Sequence, residues 1–114
     1  MIKLVNLTQH DINIIYENGS VVIPASGQVA RVNSTAIETG QIEGIPVVQT
    51  IYSDVDGLPD EEEGTVYIVS TLVLQALKAN NIDRIDCVAP NTSPGSAVRD
   101  EQGRIIGVHS FQAL

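Results

Sequence analysis

The chain has 114 residues, a net charge of −8 and 43% hydrophobic residues, with only 4% aromatic and no Trp. That length makes a single domain, residues 1–114, whose modest core must be aliphatic, and the wealth of β-branched side chains favours strands. Six Lys and Arg against fourteen Asp and Glu exclude a generic phosphate-backbone binder, which needs a basic face; no apolar run approaches a membrane span, and the lone Cys87 excludes an internal disulfide.

Ile2–Asn6 alternates and reads as a strand, broken by the polar run Leu7–Asp11. Ile12–Tyr16 is a second strand, and Asn18-Gly19 within Glu17–Ser20 signals a hairpin back through Val21–Ile23. After a turn at Pro24–Gly27, Gln28–Thr35 alternates again, with Val29 and either Ala30 or Val32 inward and the direction of Arg31 open. Ala36–Thr39 and Ile45–Tyr52 flank Gly40–Gly44 as another hairpin, in which Pro46 fits a strand start or an edge. Residues 54–64 form a loop that carries six of the fourteen acids. Thr65–Val69 reads as a buried strand, and residues 70–80 as the one helix, with Ser70 or Thr71 as N-cap, Leu72, Val73, Ala76 and Leu77 on one face, and Asn80-Asn81 as terminator. A short strand near Cys87, the polar loop Asn91–Ser96 and a hairpin Ala97–Arg99/Ile105–Phe111 complete the chain. The expected fold is α+β and mostly β: a twisted antiparallel sheet of short strands and hairpins with one helix, about residues 70–80, packed on it. So few aromatics in so small a domain favour assembly, and a homo-oligomer is expected.

Chemistry-bearing residues gather in two places. Thr92, Ser93 and Ser96 offer hydroxyls, Gly95 permits close backbone approach, and Arg99 and Arg104 follow on the hairpin. A polar turn can aim N–H groups at an anion, and a guanidinium suits phosphate or carboxylate. The same residues also suit a plain surface loop, with Arg99-Asp100 and Glu101…Arg104 pairing among themselves. The second cluster is Asn6–Asp11, where Asn6, Thr8 and His10 alternate. Adjacent strand residues point to opposite faces, so Asp11 is poorly placed to orient His10 as a catalytic base, and a structural bend held by side-chain bonds to backbone is the competing reading. Ligand-binding candidates are therefore Thr92, Ser93, Gly95, Ser96, Arg99, Arg104, His10 and Thr8. No nucleophile elbow, phosphate-binding loop or dinucleotide fingerprint is present. Two His and one Cys give no zinc spacing, and Tyr52 stands where a calcium loop over Tyr52–Glu63 needs its first carboxylate. No catalytic residue, metal or cofactor is assigned. Cys87, in the apolar run Ile85–Ala89, reads as a buried structural thiol. Met1 leads directly into a strand-like segment without a signal-peptide pattern, which favours the cytoplasm.

The segments LVNLTQHDINI, VIPASGQVARV, GIPVV, VYIVSTLVLQAL and VAPNTSPGSAVRDEQGRIIGV together resemble a family of small uncharacterised proteins of bacteriophages, prophages and bacteria. Its members open with a V-N-L-T-P-H-like motif, with Gln9 here in place of the proline, and end in an A-V-R-D-x-x-G-like hairpin. The resemblance implies a phage-linked setting in a bacterial cytoplasm. It leads us to expect a non-enzymatic protein that sequesters a small anionic ligand such as a nucleotide messenger of bacterial immunity, while the charge balance and the lack of a long apolar run leave neither nucleic acid nor membrane as an expected partner. A protein–protein interaction module that inhibits a host enzyme is the alternative, and a nucleotide hydrolase the third reading.

Overall fold

Ten short strands and one helix form two four-stranded sheets and a separate hairpin in the computed structural model, which describes residues 2–113. The first sheet contains β1 (Lys3–Asn6), β6 (Thr65–Ile68), β7 (Cys87–Pro90) and β10 (Phe111–Ala113), in the order β1-β6-β7-β10. The second contains β3 (Gly19–Ile23), β2 (Ile12–Tyr16), β9 (Ile105–Val108) and β8 (Ala97–Arg99), in the order β3-β2-β9-β8. The class is the expected one, α+β and mostly β with one helix. The pairing differs from a single antiparallel sheet: β1–β6, β6–β7 and β2–β9 are parallel. Helix α1 (Thr71–Ala79) supplies the reason for one of these pairs, because it carries the chain from β6 back to the start of β7, a crossover that only parallel neighbours require.

The period-2 alternation of β6 and β7 sorts their side chains onto two faces. Tyr67, Val69, Cys87 and Ala89 face α1 and pack with Leu7, Ala30, Val73, Leu74 and Leu77. Ile68 and Val88 face the other way and pack with Ile12, Ile14, Val108 and Phe111. The first sheet is thus the middle layer between α1 and the second sheet. The helix buries Val73, Leu74, Ala76 and Leu77; Leu72, expected on the inner face, is exposed, and Leu74 takes its place. Ser70 Oγ accepts the Val73 N–H as N-cap. At the other end Asn81 adopts φ 57°, its N–H reaches Lys78 O and the Ile82 N–H reaches Leu77 O. Asn81 thus serves as the left-handed residue of a Schellman cap, usually the role of glycine.

Three expectations about the strands change in detail. Of the expected strand Gln28–Thr35, residues 28–33 form no regular strand, and Ser34 and Thr35 open the next hairpin instead. Ser26 N–H goes to Asn6 O and Ala30 N–H to Leu7 O, so this segment spends its backbone groups on the Asn6–Leu7 corner and keeps one bridge, Arg31 with Asp56. Ala30, not Val32, is the buried residue there. In the first hairpin Tyr16 pairs with Gly19, so Glu17 and Asn18 form the turn and Gly19 already belongs to β3. The C-terminal run Ile105–Phe111 breaks at His109-Ser110, where the chain leaves the second sheet and enters the first.

The second hairpin, β4 (Ser34–Ile42) and β5 (Ile45–Tyr52), stands apart from both sheets. Glu43 and Gly44, at φ 52° and 78°, make its two-residue turn of the type that matches strand twist. Its base is closed by Ser53 N–H to Asn33 O and Asn33 N–H to Ser53 Oγ. The radius of gyration is 16.4 Å, against about 13 Å for a compact chain of this length. The acidic loop is held to the body by Arg84, which forks onto both Asp86 oxygens at 2.9 Å and donates to Pro59 O. Gly57, at φ +80°, lies so close to Val29 O that a Cβ would come within 2.6 Å, which accounts for a glycine there without a metal loop.

Candidate functional site

The loop Asn91–Ser96 uses most of its polar groups on itself and on its neighbours. Asn91 Oδ1 accepts the Ser93 N–H, and Ser93 O accepts the N–H groups of Ser96 and Ala97. Ser96 is buried, and its Oγ accepts the N–H groups of both His109 and Ser110 while lying 3.0 Å from Ser110 Oγ. It therefore holds the kink that passes the chain between sheets. Ser93 and Gly95 are exposed on the outside of this turn. Thr92 lines a separate groove of about 320 Å³ with Asp11, Asn13, Pro90 and Ile105–Val108.

The two arginines turn away from that loop. Arg99 Nη1 donates to Gly103 O, and Arg104 donates from Nε to Asp100 Oδ2 and from Nη2 to Gln102 Oε1. Asp100 Oδ1 also accepts the N–H groups of Gln102 and Arg104. Both guanidinium groups thus brace the β8–β9 turn. The C-terminal candidates consequently fall in three places: a surface turn, a groove wall and a hairpin tip. The reason is local, since the five residues between β8 and β9 offer their own carbonyls and carboxylate to each guanidinium.

At the N-terminal cluster, Asn6 is fully enclosed and meets all of its hydrogen-bonding capacity. Its Nδ2 donates to His10 O at 2.9 Å and Ile23 O at 3.0 Å, while Oδ1 accepts the Thr8 N–H at 2.9 Å and the Thr8 hydroxyl at 2.6 Å. Asp11 Oδ1 caps the Ala25 N–H. These bonds fix the bend between β1 and β2, the structural role weighed above for this segment. They also hold Thr8, Gln9 and His10 along one wall of a groove of about 360 Å³.

That groove brings together residues from three parts of the chain. Thr8, Gln9 and His10 come from the bend, Arg31 and Asn33 from the segment before the hairpin, and Ser70 from the start of α1, over a floor that includes Leu7, Ala30 and Val73. No acidic residue lines it. The side chains of Gln9, His10, Arg31 and Asn33 make no hydrogen bond or ion pair among the described residues. Backbone bonds to Asp56 fix the Arg31 position on the groove wall. The N-terminus of α1 adds the positive end of the helix and first-turn N–H groups, beyond the one that Ser70 caps. An apolar floor with several convergent polar groups is the usual design of a small-ligand site. Thr8 and His10 are candidates from the sequence and Arg31 is open there; Gln9 and Asn33 carry no signal, because the residues that meet here lie more than twenty positions apart, with the hairpin β2–β3 between the bend and Arg31.

Among the described residues no group of three or more His, Cys, Asp or Glu could hold a metal ion. No helix is long and apolar enough to cross a membrane. Cys87 is buried, and burial pushes its thiol up to about 11, with Asp86 beside it adding to the effect. The fork from Arg84 holds the Asp86 carboxyl below the usual aspartate value.

No family model, curated protein or solved structure matches this chain. Its site must therefore be argued from its own geometry.

Proposed function

We propose that this chain is a binding protein that holds a small anionic ligand in the groove of Arg31, His10 and Thr8 and returns it unchanged. One observation carries the reading. In a chain of net charge −8, this groove contains an arginine and no carboxylate, and the guanidinium of that arginine makes no hydrogen bond or ion pair among the described residues, although its backbone is bonded to Asp56. A guanidinium, an imidazole, two amides and a helix N-terminus are donors suited to a phosphate or carboxylate group, and net charge does not decide affinity where the local field is positive. The volume of about 360 Å³ lies in the range of small-molecule sites and suits a ligand of nucleotide size. Binding without turnover is supported by the neighbourhood of His10: Asp11, the nearest acid in sequence, is occupied with Ala25 N–H, so the ring lacks the orienting carboxylate of a general base. The resemblance to small phage proteins makes a nucleotide messenger of bacterial immunity the ligand class of choice, sequestered in the host cytoplasm.

Calorimetry with a panel of cyclic mono- and dinucleotides and cyclic ADP-ribose isomers tests this. The expected result is binding to at least one member, lost in Arg31→Ala, retained in Arg99→Ala, and with the ligand recovered intact by chromatography. Absence of heat across the panel, or binding indifferent to Arg31→Ala, would overturn the assignment. Turnover that His10→Ala abolishes would make the protein a hydrolase instead.

A further inference from the structure

The hairpin β4–β5 has a face built to be covered. Cross-strand partners share a face, and the register pairs Thr35 with Ile51, Ile37 with Gln49, Gly40 with Val47 and Ile42 with Ile45 on one side. That side therefore carries Ile37, Ile42, Ile45, Val47 and Ile51. The other side carries Ser34, Ala36, Glu38 and Gln41 from β4, and Pro46, Val48, Thr50 and Tyr52 from β5. Ile37 and Ile42 are five positions apart, which in a regular strand would put them on opposite faces. The ladder shifts by one residue between Glu38 and Gly40, and this bulge, at Thr39, returns Ile42 to the side of Ile37. The bulge is supported by its own side chain, since the Thr39 hydroxyl donates to Val47 O, and Gln41 reaches Glu38 across it on the polar side. An irregularity that collects five large aliphatic side chains on one surface is a device with a purpose.

Among the described residues nothing in the same chain covers that surface. All five side chains are exposed, Ile42 and Ile45 by about two thirds (66% and 65%). The two strands pack closely on each other, and neither packs to a comparable extent on any further element. A lone two-stranded hairpin is at best marginal in water, so the arm gains its order from a partner.

We propose that this partner is a second copy of the chain, with the two hairpin faces stacked on each other about a two-fold axis. Two arguments select it. The first is charge: two copies at −8 each repel over most of their surfaces, whereas the eight paired residues of this face include no charged one, with Glu38 on the opposite side and Glu43 in the turn. The second is area: the five half-exposed side chains present on the order of 500 Å² per copy, so a face-to-face pair buries about 1,000 Å², the lower bound for a specific interface. The face is also self-complementary in shape. Gly40 leaves open space opposite Val47, a notch between Ile37 and Ile42 that an aliphatic side chain of the other copy can fill, as a two-fold contact requires. Stacked in this way, the four strands form a small two-layer sandwich that neither chain can make alone.

Sedimentation equilibrium tests the proposal. The wild-type protein is expected to reach twice the chain mass of 12.2 kDa in a concentration-dependent manner. The double variant Ile42→Glu/Ile45→Glu should remain a monomer with an unchanged circular dichroism spectrum, and Val48→Glu on the opposite face should remain a dimer. A wild-type protein that stays monomeric, a dimer that survives the double charge substitution, or one that Val48→Glu breaks equally would each overturn it. Amide exchange of the wild type supplies a second reading that needs no variant: protection across β4 and β5 should fall on dilution while that of β6 and β7 holds. Protection independent of concentration would count against the second copy.

Discussion

Asn6→Ala should be the most damaging single polar substitution in the N-terminal bend. The alanine removes two donors and one acceptor that serve His10 O, Ile23 O, the Thr8 N–H and the Thr8 hydroxyl. The hydroxyl has a second acceptor in His10 O at 2.9 Å, so three losses remain in a place that water reaches poorly. At about 1 kcal/mol for each, the cost is about 3 kcal/mol. A chain of this length unfolds with an entropy of about 0.24 kcal/mol/K, so the midpoint of thermal unfolding should fall by about 12 °C. Asn91→Ala is the internal reference: its Oδ1 caps one N–H and its Nδ2 meets one serine hydroxyl, both in exposed settings, and a fall of about 4 °C or less is expected. Differential scanning calorimetry of the three proteins in one buffer provides the comparison. If Asn6→Ala costs no more than Asn91→Ala, the bend is not held by this side chain and Thr8 and His10 owe their place on the groove wall to something else.

Two other predictions concern the Arg84–Asp86–Cys87 corner. With its thiol pushed up to about 11, Cys87 at pH 8 should carry about one thiolate per thousand and should react with a disulfide reagent only after denaturation; stoichiometric modification of the native protein within minutes would contradict the burial. Asp86 has a depressed folded-state value. Its contribution is therefore present in full above the ordinary aspartate value of 3.8 and is lost as pH falls through the lower folded value. Asp86→Asn should be less stable than wild type at pH 6, and the difference should shrink towards pH 2; a urea midpoint difference that stays constant with pH would refute the linkage.

The elements legible in the sequence were those whose signals are local. Ile12–Tyr16 alternates and is β2, while Ser70 and Asn80-Asn81 bracket the helix with polar groups that cap it in the structure. The parallel pairing was hidden, because it depends on which distant strands become neighbours, and Lys3–Asn6 beside Thr65–Ile68 leaves no trace in either segment. Arg99 looked like a ligand-binding cation because it follows a polar loop, yet Gly103 O, four residues on, is the closer partner. For Arg31 the sequence leaves the direction open, since alternation predicts a strand face while the segment in fact bonds to Asn6 and Leu7. Both outcomes have one cause: whether a guanidinium is free depends on the carbonyls and carboxylates that the fold brings near it.

The His109-Ser110 kink has a consequence for the order of events during folding. Through it β9 joins β2, with Ile14 beside Val108, Asn13 Nδ2 bonded to Ile106 O and His109 Nδ1 to Ile15 O. These contacts span more than ninety residues of chain. A strand that pairs early with β3 must therefore wait for nearly the whole polypeptide before its other edge is satisfied. Closing so long a loop is paid in chain entropy before any contact rewards it, which places the assembly of this sheet late and makes the chain a slow folder for its size. Until then the open edge of β2, with Ile12 and Ile14 beside it, is exposed to pairing with other chains, and the yield of refolding should depend on protein concentration more steeply than the stability of the finished domain would suggest.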